Sequence, residues 1–373
     1  MIALVTLAVL GLLAVFTPLL PLQAPDADDT DLQYAAPTTS PLWLDGFSLD
    51  EKLLASTPSE AAKIREQMPK LRAAYRAASP EEADGAFDAL YRNQAEAHDT
   101  IQAPYRNAGF ADLGPVSRWM VRARYRLFGS YQLNSICGRD VLGRDVLSRI
   151  FWGARISMLV GLVAALVSLV IGVSYGAFAG YVGGRVDNAM MRAVDVLYSI
   201  PFILVVIFLI TILNEDQIAR RLEYYGISKI TVFFFVVGAI YWLTMARVVR
   251  GQVISLKTEP FVEAARSLGA GRARVILRHL LPNLFSIVLV YLTLTVPRVI
   301  LFESFLSYLG LGVEPPDVSW GLLAKEGIDA LNPVQEMWWL VLFPSVALGA
   351  TLLALNFLGD GLRDALDPKM KRR

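Results

Sequence analysis

The residues of this chain that could take part in chemistry are few, and most of them lie in one short segment. Residues 259–283, EPFVEAARSLGAGRARVILRHLLPN, carry four arginines, two glutamates and one histidine between two long apolar runs. Arginines in this setting can pair with acidic groups on another protein or with anionic lipid. The composition is typical of either a docking helix or a helix that re-enters the membrane interface.

Catalytic patterns are absent from the rest of the sequence. No Gly-Lys dipeptide occurs, so the chain has no phosphate-binding P-loop. His98 and His279 have no second metal-type ligand at matching spacing, and Cys137 is the only cysteine, which excludes an intrachain disulfide. We therefore expect neither an enzyme nor a bound metal, cofactor or nucleic acid.

The elements that position this segment belong in a membrane. The chain has 373 residues, 55% hydrophobic and 18% charged, with a mean hydropathy of +0.46. A hydrocarbon core about 30 Å thick requires about 20 apolar residues per helix, and unpaired backbone groups are not tolerated there. The sequence predicts an all-α polytopic membrane protein with six transmembrane helices, at about Ile2–Leu20, Ile156–Tyr181, Val194–Leu213, Ile230–Val248, Leu284–Phe302 and Met337–Leu358.

The distribution of charge predicts how these spans are oriented. Lys and Arg are concentrated in the loop 250–283 and in the tail 369–373, whereas loops on the opposite side hold fewer. Because short cytoplasmic loops are enriched in Lys and Arg, we expect this loop and both termini in the cytoplasm. A secretory signal is the alternative for the first run, but the run lacks a basic start and a small-residue cleavage site.

Residues 22–133 are polar and mixed in charge. Two tetrads, Thr57-Pro58-Ser59-Glu60 and Ser79-Pro80-Glu81-Glu82, match helix starts with a hydroxyl cap. They predict a helical hairpin outside the membrane, interrupted or kinked at Pro69. We interpret it as a packing module, with His98 as a surface or packing residue.

Further patterns concern the helices of the membrane part. Residues 138–157 repeat Gly-Arg-Asp and predict a helix lying at the membrane surface, with Arg139, Asp140, Arg144 and Asp145 on its polar face. Glycines at four-residue spacing predict close helix packing, and prolines within spans predict kinks. These residues are Gly172, Gly176, Gly180, Pro201, Pro297 and Pro344.

Two charged residues lie near the far end of the fifth run. Arg298 and Glu303 are five residues apart, so on a helix they point in different directions. Because charges in hydrocarbon usually face a cavity or a partner, both are weak candidates for a translocation path. The alternative is that both side chains extend to the membrane surface.

Within residues 259–283 we expect two short helices. Pro260 suits a first helical turn, and an apolar side follows from Phe261, Ala264, Ala265 and Leu268. Gly269 and Gly271 allow a turn that residues with a Cβ atom resist. Pro282 is expected to stop the second helix at the membrane.

Glu263-Ala264-Ala265, followed by Gly269 and by Leu281-Pro282, resembles the EAA signature of ABC importer permeases. Other motifs occur in the order expected of the second permease subunit of dipeptide, oligopeptide and nickel importers: GRDVLGRDVLSRIFWGARISMLVG, DVLYSIP, RHLLPN, FLSYLGLGVEPPDVSWG and ALNFLGDGLRDALDPK. The resemblance implies a type I ABC importer permease fold. It divides the chain into a first transmembrane helix (1–21), a helical extracytoplasmic insertion (22–133) and a permease core (134–373) that contains the EAA coupling loop 250–283.

In this family the EAA segment is the cytoplasmic coupling helix that fits a cleft on the ATPase subunit. The resemblance implies a peptide importer in the bacterial cytoplasmic (inner) membrane. Its partners would be a homologous permease subunit, two ABC ATPase subunits that hydrolyse ATP, an extracytoplasmic solute-binding protein and membrane lipid. The implied ATPase-coupling residues are Glu263, Ala264, Ala265, Gly269, Leu281 and Pro282.

The chain departs from the family pattern at His279, at SICGRD before the Gly-Arg-Asp repeat, and in the insertion. Nickel-chelate and modified-peptide importers share these motifs and are alternatives for the substrate. A secondary transporter would need an embedded ion site or inverted repeats, neither of which is evident. A membrane receptor or scaffold that does not transport would use the outer hairpin for binding and the cytoplasmic loop for signalling.

Overall fold

The structure is helical, with one two-stranded ribbon in the part of the chain that is described. The computed structural model describes residues 2–37, 43–133, 135–331 and 336–366. The basic residues 369–373, on which part of the predicted orientation rests, lie outside this range. The ribbon pairs β1 (Trp43–Asp45) antiparallel with β2 (Tyr131–Leu133).

The described helices fall into two groups along the chain. The first group is α1 (Ile2–Phe16), α2 (Glu51–Arg65), α3 (Met68–Ala77), α4 (Ala83–Arg106) and α5 (Pro115–Phe128). The second group is α6 (Val146–Val182), α7 (Gly184–Ser199), α8 (Phe202–Leu213), α9 (Asp216–Tyr224), α10 (Lys229–Leu256), α11 (Pro260–Ser267), α12 (Arg272–Arg274), α13 (Leu281–Tyr308), α14 (Trp320–Asp329) and α15 (Trp339–Leu366). A π-helical turn, Val275–Leu280, joins α12 to α13.

Among the described residues, four helical segments are long and apolar enough to cross a membrane: α6, α10, the continuous helix Arg272–Tyr308 and most of α15. Helices α7 and α8 supply a fifth span only if they count together, because they are bent by 79° at their junction. Helix α1 is apolar but has only 15 residues before a 3-10 turn, Thr17–Leu19. The helical fold is confirmed, whereas a sixth span is not established by length.

The proline predictions have different outcomes at different sites. Pro201 lies at the 79° bend, directly before the first residue of α8. Because a proline restricts the preceding residue to extended backbone, α7 cannot continue through Ile200. Pro297 and Pro344 lie inside α13 and α15, and both helices continue past them.

Helix α6 packs along most of α10, and its glycines explain why the two backbones approach so closely. A Cβ atom on Gly172 would lie 2.6 Å from Met245 Cβ, and one on Gly180 would lie 2.8 Å from the Arg250 carbonyl oxygen. Gly176 faces the backbone of α10 at Ala246 in the same way. The predicted packing role of these glycines is confirmed.

The insertion is a helical hairpin in which α2 and α3 pack against α4. The predicted start at Thr57 is wrong, because Asp50 caps α2 by accepting hydrogen bonds from the Lys52 and Leu53 amides, both 3.0 Å. The predicted hydroxyl cap at Ser79 is also wrong, because α4 begins only at Ala83 without a side-chain cap, and the Ser79 hydroxyl instead donates to Glu82 (3.0 Å). The interruption at Pro69 is confirmed, because α3 begins at Met68.

The stretch predicted to be a surface helix, residues 138–157, folds differently. Residues 138–145 form a tight loop, and α6 begins only at Val146, where Asp145 accepts the Leu147 amide at 3.1 Å. The predicted exposure of the four charged side chains is wrong, since none is more than 7% exposed: Arg139, Asp140, Arg144 and Asp145. The repeat therefore encodes a buried ionic cluster.

Candidate coupling site

The coupling loop folds into a short helix, α11, followed by a sharp turn. Pro260 occupies the first turn of α11, as predicted. Gly269 has φ +82°, and the amide of Ala270 donates to the Ala265 carbonyl (3.0 Å), which closes the helix end. Gly271 has φ −65°, so of the two predicted turn glycines only Gly269 requires glycine.

Helix α11 is fixed to the membrane part through one buried apolar cluster. Val262 is fully buried and belongs to the same cluster as Val253 of α10 and Val275 of the π-helical turn. Leu284 of α13 and Ala177 of α6 complete the connection to the long helices. This cluster therefore packs α11 directly against α6, α10 and α13.

The opposite side of α11 is exposed and apolar. Leu268 is 89% exposed and Phe261 is 39% exposed, with the exposed Ala264 between them on the same face. Glu263 is exposed beside this stripe, whereas Ala265 is buried. Three of the four residues predicted to share an apolar side therefore lie on an unoccupied face, and Ala265 belongs to the packed face.

The end of the coupling loop corrects one prediction. Pro282 does not stop a helix, because the π-helical turn runs directly into α13 and Pro282 lies in the first turn of α13. Leu281 is half-buried against the cluster that holds Val262, and Pro282 is exposed. The two residues thus lie at the junction between the coupling loop and the fifth run.

Polar contacts connect the helices that surround this loop. Arg250 of α10 donates two hydrogen bonds of 2.6 Å to the carboxylate of Asp187 in α7. Lys257 donates to the Gly180 carbonyl (2.9 Å), and the Arg266 guanidinium lies 5.1 Å from the ring centre of Tyr181. The contacts of Lys257 and Arg266 attach the two ends of α11 to the end of α6.

Arg298 and Glu303, the weak candidates for a path, are placed in different surroundings. Arg298 is exposed, whereas Glu303 is fully buried and accepts a hydrogen bond from Ser307 Oγ (2.7 Å). The hydroxyls of Ser157 and Ser319, from α6 and the cap of α14, also face Glu303. The different directions are confirmed, but the extension of Glu303 to the membrane surface is wrong, because it sits in a packed junction of three helices.

A second polar site, which sequence analysis missed, lies at the other end of α6. Arg149 Nη1 lies 2.6 Å from Asp140 Oδ2 and also pairs with Glu326 of α14, and Arg144 Nε lies 2.8 Å from the same Asp140 oxygen. Burial raises the pKa of Asp26, beside this cluster, to about 6, although both arginines oppose the shift. The repeated Gly-Arg-Asp was the feature of the sequence that could have indicated this buried cluster.

The insertion is attached to α9 through two polar contacts of α4. It also borders a cavity of about 1560 Å³. Tyr91 of α4 donates to Glu223 Oε2 at 2.6 Å, which raises the pKa of Tyr91 to about 12. Asp88 pairs with Arg220 at 3.0 Å. The cavity lies between this hairpin and residues 312–317.

His98 borders the same cavity and lies 2.9 Å from Asp112, about half exposed, as a surface residue should. Within the described residues no group of three or more His, Cys, Asp or Glu side chains could hold a metal ion. Cys137 is buried, and burial raises the pKa of its thiol to about 12.

Comparison with known proteins identifies the family. Residues 172–372 match the model of the binding-protein-dependent transport system inner membrane component. The chain belongs to this family. The permease resembles the dipeptide transport system permease protein DppC of Bacillus subtilis, with 46% identity over 63% of this chain and 69% of that protein.

Two other relatives of the permease are similar over the same share of the chain. The oligopeptide transport system permease protein OppC of Haemophilus influenzae is 47% identical over 62% of this chain and 70% of that protein. The glutathione transport system permease protein GsiD of Pectobacterium atrosepticum is 38% identical over 63% and 72%. The predicted resemblance is confirmed, and this permease is a membrane transport subunit.

Proposed function

We propose that this permease imports di- or oligopeptides in an ATP-driven ABC transporter of the bacterial inner membrane. The observation that carries the proposal is the 46–47% identity to dipeptide and oligopeptide permeases across more than two thirds of their length. A homologous permease would complete the path, a solute-binding protein would deliver the peptide, and two ATPase subunits would supply the energy.

We further propose six spans, with α1 as the first, both termini in the cytoplasm and the insertion outside. The contacts of α6 support opposite locations for the two attached parts. Arg155, near its start, bonds Ser117 of the insertion, and Gly180, near its end, accepts from Lys257 of the coupling loop. These residues are 25 positions apart, or about 38 Å along a helix, which exceeds the thickness of the hydrocarbon core.

The coupling role is proposed for the exposed stripe of α11, with Glu263, Ala264, Ala265, Gly269, Leu281 and Pro282 forming or holding it. An amphipathic helix with small and apolar exposed residues suits a groove on another protein. Its packed face already contacts α6, α10 and α13 through Val262. A rigid-body movement of the ATPases would therefore reach the long helices without an intermediate linker.

Crosslinking in intact cells tests this role. In a Cys137→Ala background, Leu268→Cys should form a crosslink to the ATPase subunit through a bifunctional thiol reagent, and uptake of labelled dipeptide should depend on that subunit. Leu127→Cys, also exposed (68%) but attached to the other end of α6, is the matched control and should give no such product. A complex that imports peptide without any ATPase crosslink from position 268 would contradict the assignment.

Modified peptides are a second candidate substrate, favoured by the 38% identity to a glutathione permease. Competition separates the two candidates. Unlabelled dipeptides and tripeptides should displace labelled peptide, whereas preferential displacement by glutathione would favour the second candidate.

A further inference from the structure

Helix α5 of the insertion is held by contacts near the end of α1 and near the beginning of α6. Arg124, which is 1% exposed, donates to the carbonyls of Leu20 (3.0 Å) and Leu22 (2.8 Å), just beyond the 3-10 turn that follows α1. Ser117 of α5 accepts from Arg155 of α6 at 2.8 Å. The packed face of α5 therefore lies against the end of α1 and the first turns of α6.

The remaining surface of α5 carries a stripe of exposed apolar side chains. Val116, Trp119 and Leu127 are 63%, 66% and 68% exposed. With Ala123 they follow i, i+3, i+7 and i+11 spacing, which confines them to about 80° of the helix circumference. A soluble surface rarely leaves a large aromatic ring and two aliphatic side chains exposed in one line.

A row of arginines borders this stripe. Arg118, Arg122 and Arg126 follow at four-residue spacing, and α5 contains no acidic residue. Arg122 and Arg126 are both exposed, and Arg122 also donates to the Tyr105 hydroxyl (2.6 Å). The helix thus has three sectors: one packed, one apolar and one basic.

The ribbon beside α5 extends the same surface. Trp43 stacks on Phe128 of α5, with ring centres 6.5 Å apart, and Trp43 and Tyr131 are 49% and 56% exposed. The amide of Leu133 donates to the Pro21 carbonyl (2.7 Å), which holds the ribbon at the end of α1. Exposed aromatic rings therefore lie at the level where α1 ends.

We propose that α5 and the β1–β2 ribbon form an interfacial anchor that lies on the lipid surface. Aromatic rings at the ends of spans and amphipathic helices with a basic border are typical of the headgroup region. Val15 and Phe16 of α1, a few residues before the carbonyls that Arg124 holds, are also exposed and apolar. Trp119 and Leu127 enter the acyl boundary, and Arg126 binds the phosphate of an anionic lipid.

This anchor is a property beyond the proposed transport function. It rests on the orientation proposed above in one respect only, namely that the anchor lies on the outer leaflet of the membrane. It holds the insertion against the bilayer at the α1 end, while the pairs of α4 with α9 hold it at the other. Two attachments define the height and tilt of the hairpin beside the cavity.

Spin-label accessibility in the full-length permease tests the anchor. In a Cys137→Ala background, labels at Trp119→Cys and Leu127→Cys are compared in vesicles of phosphatidylethanolamine and phosphatidylglycerol. We expect oxygen to relax both labels more strongly than a water-soluble nickel chelate does. A label at Ala74→Cys, on the exposed side of α3, is the control and should show the opposite order. Equal nickel accessibility at positions 74, 119 and 127 would overturn the proposal.

Two further measurements separate lipid from protein as the occupant. Protection of the labels at 119 and 127 from both reagents would show that a protein covers the stripe, and would also overturn the proposal. Adding Arg126→Gln, or replacing phosphatidylglycerol by phosphatidylcholine, should move the label at 119 toward water. Because none of these readouts requires uptake, their failure is distinguishable from failure of the transport function.

Discussion

Arg250 binds Asp187 in a bidentate geometry, with both N–O distances at 2.6 Å, and so connects α10 to α7 next to the coupling loop. The Asp187 side chain is only 8% exposed. Since Arg250 also belongs to the helix that precedes α11, the pair lies on the mechanical route between the proposed ATPase contact and the bent segment α7–α8.

Replacing Arg250 by lysine should reduce coupling more than assembly. A lysine keeps the charge but cannot form two parallel bonds to one carboxylate. We expect peptide-stimulated ATP hydrolysis in proteoliposomes to fall several-fold. The control is Arg247→Lys, whose partner Asp195 is 66% exposed, because an exposed pair contributes little. Equal losses in the two variants would contradict a specific role for the buried pair.

Gly269 should be sensitive to backbone conformation rather than to size. Its φ is +82°, but no atom lies within 4 Å of a Cβ placed there. A left-handed residue other than glycine loses about 1–2 kcal/mol, and asparagine tolerates this region best. We expect uptake, measured at equal membrane abundance, to be reduced least by Gly269→Asn, more by Gly269→Ala and most by Gly269→Val.

Gly271→Ala is the matched control for this series. Gly271 is also free of neighbours within 4 Å, but its φ of −65° is ordinary for any residue. Uptake by this variant should therefore remain near that of the parent protein. Similar losses at both positions would show that flexibility of the whole turn, and not the left-handed residue, is what matters.

The sequence predicted the coupling segment well because its determinants are local. Pro260 and Gly269 act on their own backbone, and the spacing of the apolar residues is read directly along the helix. The error at Pro282 arose because a proline in the first helical turn has the same sequence signature as a proline that follows a helix end. Only the π-helical turn Val275–Leu280, which sequence spacing does not reveal, distinguishes the two.

The Gly-Arg-Asp repeat shows why long-range contacts could not be predicted. Arg149 is paired with Asp140 nearby and with Glu326, 177 residues away. A charged side chain near an apolar helix is usually exposed, and only the distant carboxylate makes burial of this arginine acceptable. Similarly, α5 was not singled out, because its apolar stripe has meaning only once its contacts with Leu20 and Leu22 are known.

Asp26 should make stability depend on pH. Its folded pKa is raised from 3.8 to about 6 by burial, so the folded state binds the proton more tightly than the unfolded state. The stability that the protonated Asp26 contributes to the folded state is fully present below about pH 4 and is lost as the pH rises through 6. At pH 7 the shift corresponds to about 3 kcal/mol of destabilisation.

The test compares melting temperatures of the detergent-solubilised permease with those of Asp26→Asn between pH 4 and 7. In the variant, the melting temperature should fall less steeply as the pH rises from 4 to 7, and the variant should be more stable than the parent protein at pH 7. Asp145, whose pKa is also raised to about 6 by burial, is present in both proteins and cancels in the difference. Parallel curves for the two proteins would exclude this role of Asp26.

The bond between Tyr91 and Glu223 should determine how firmly the hairpin is held beside the cavity. Tyr91→Phe removes the 2.6 Å hydrogen bond but keeps the ring. A hydrogen bond to a charged acceptor stabilises by about 1.5–3 kcal/mol, and exposure of Glu223 reduces this toward the lower end. We expect trypsin to cleave the hairpin several-fold faster in native membranes. Tyr75→Phe is the control, because Tyr75 contacts Phe87 through its ring in the same hairpin. Unchanged cleavage in Tyr91→Phe would show that the salt bridge of Asp88 with Arg220 holds the hairpin without help from Tyr91.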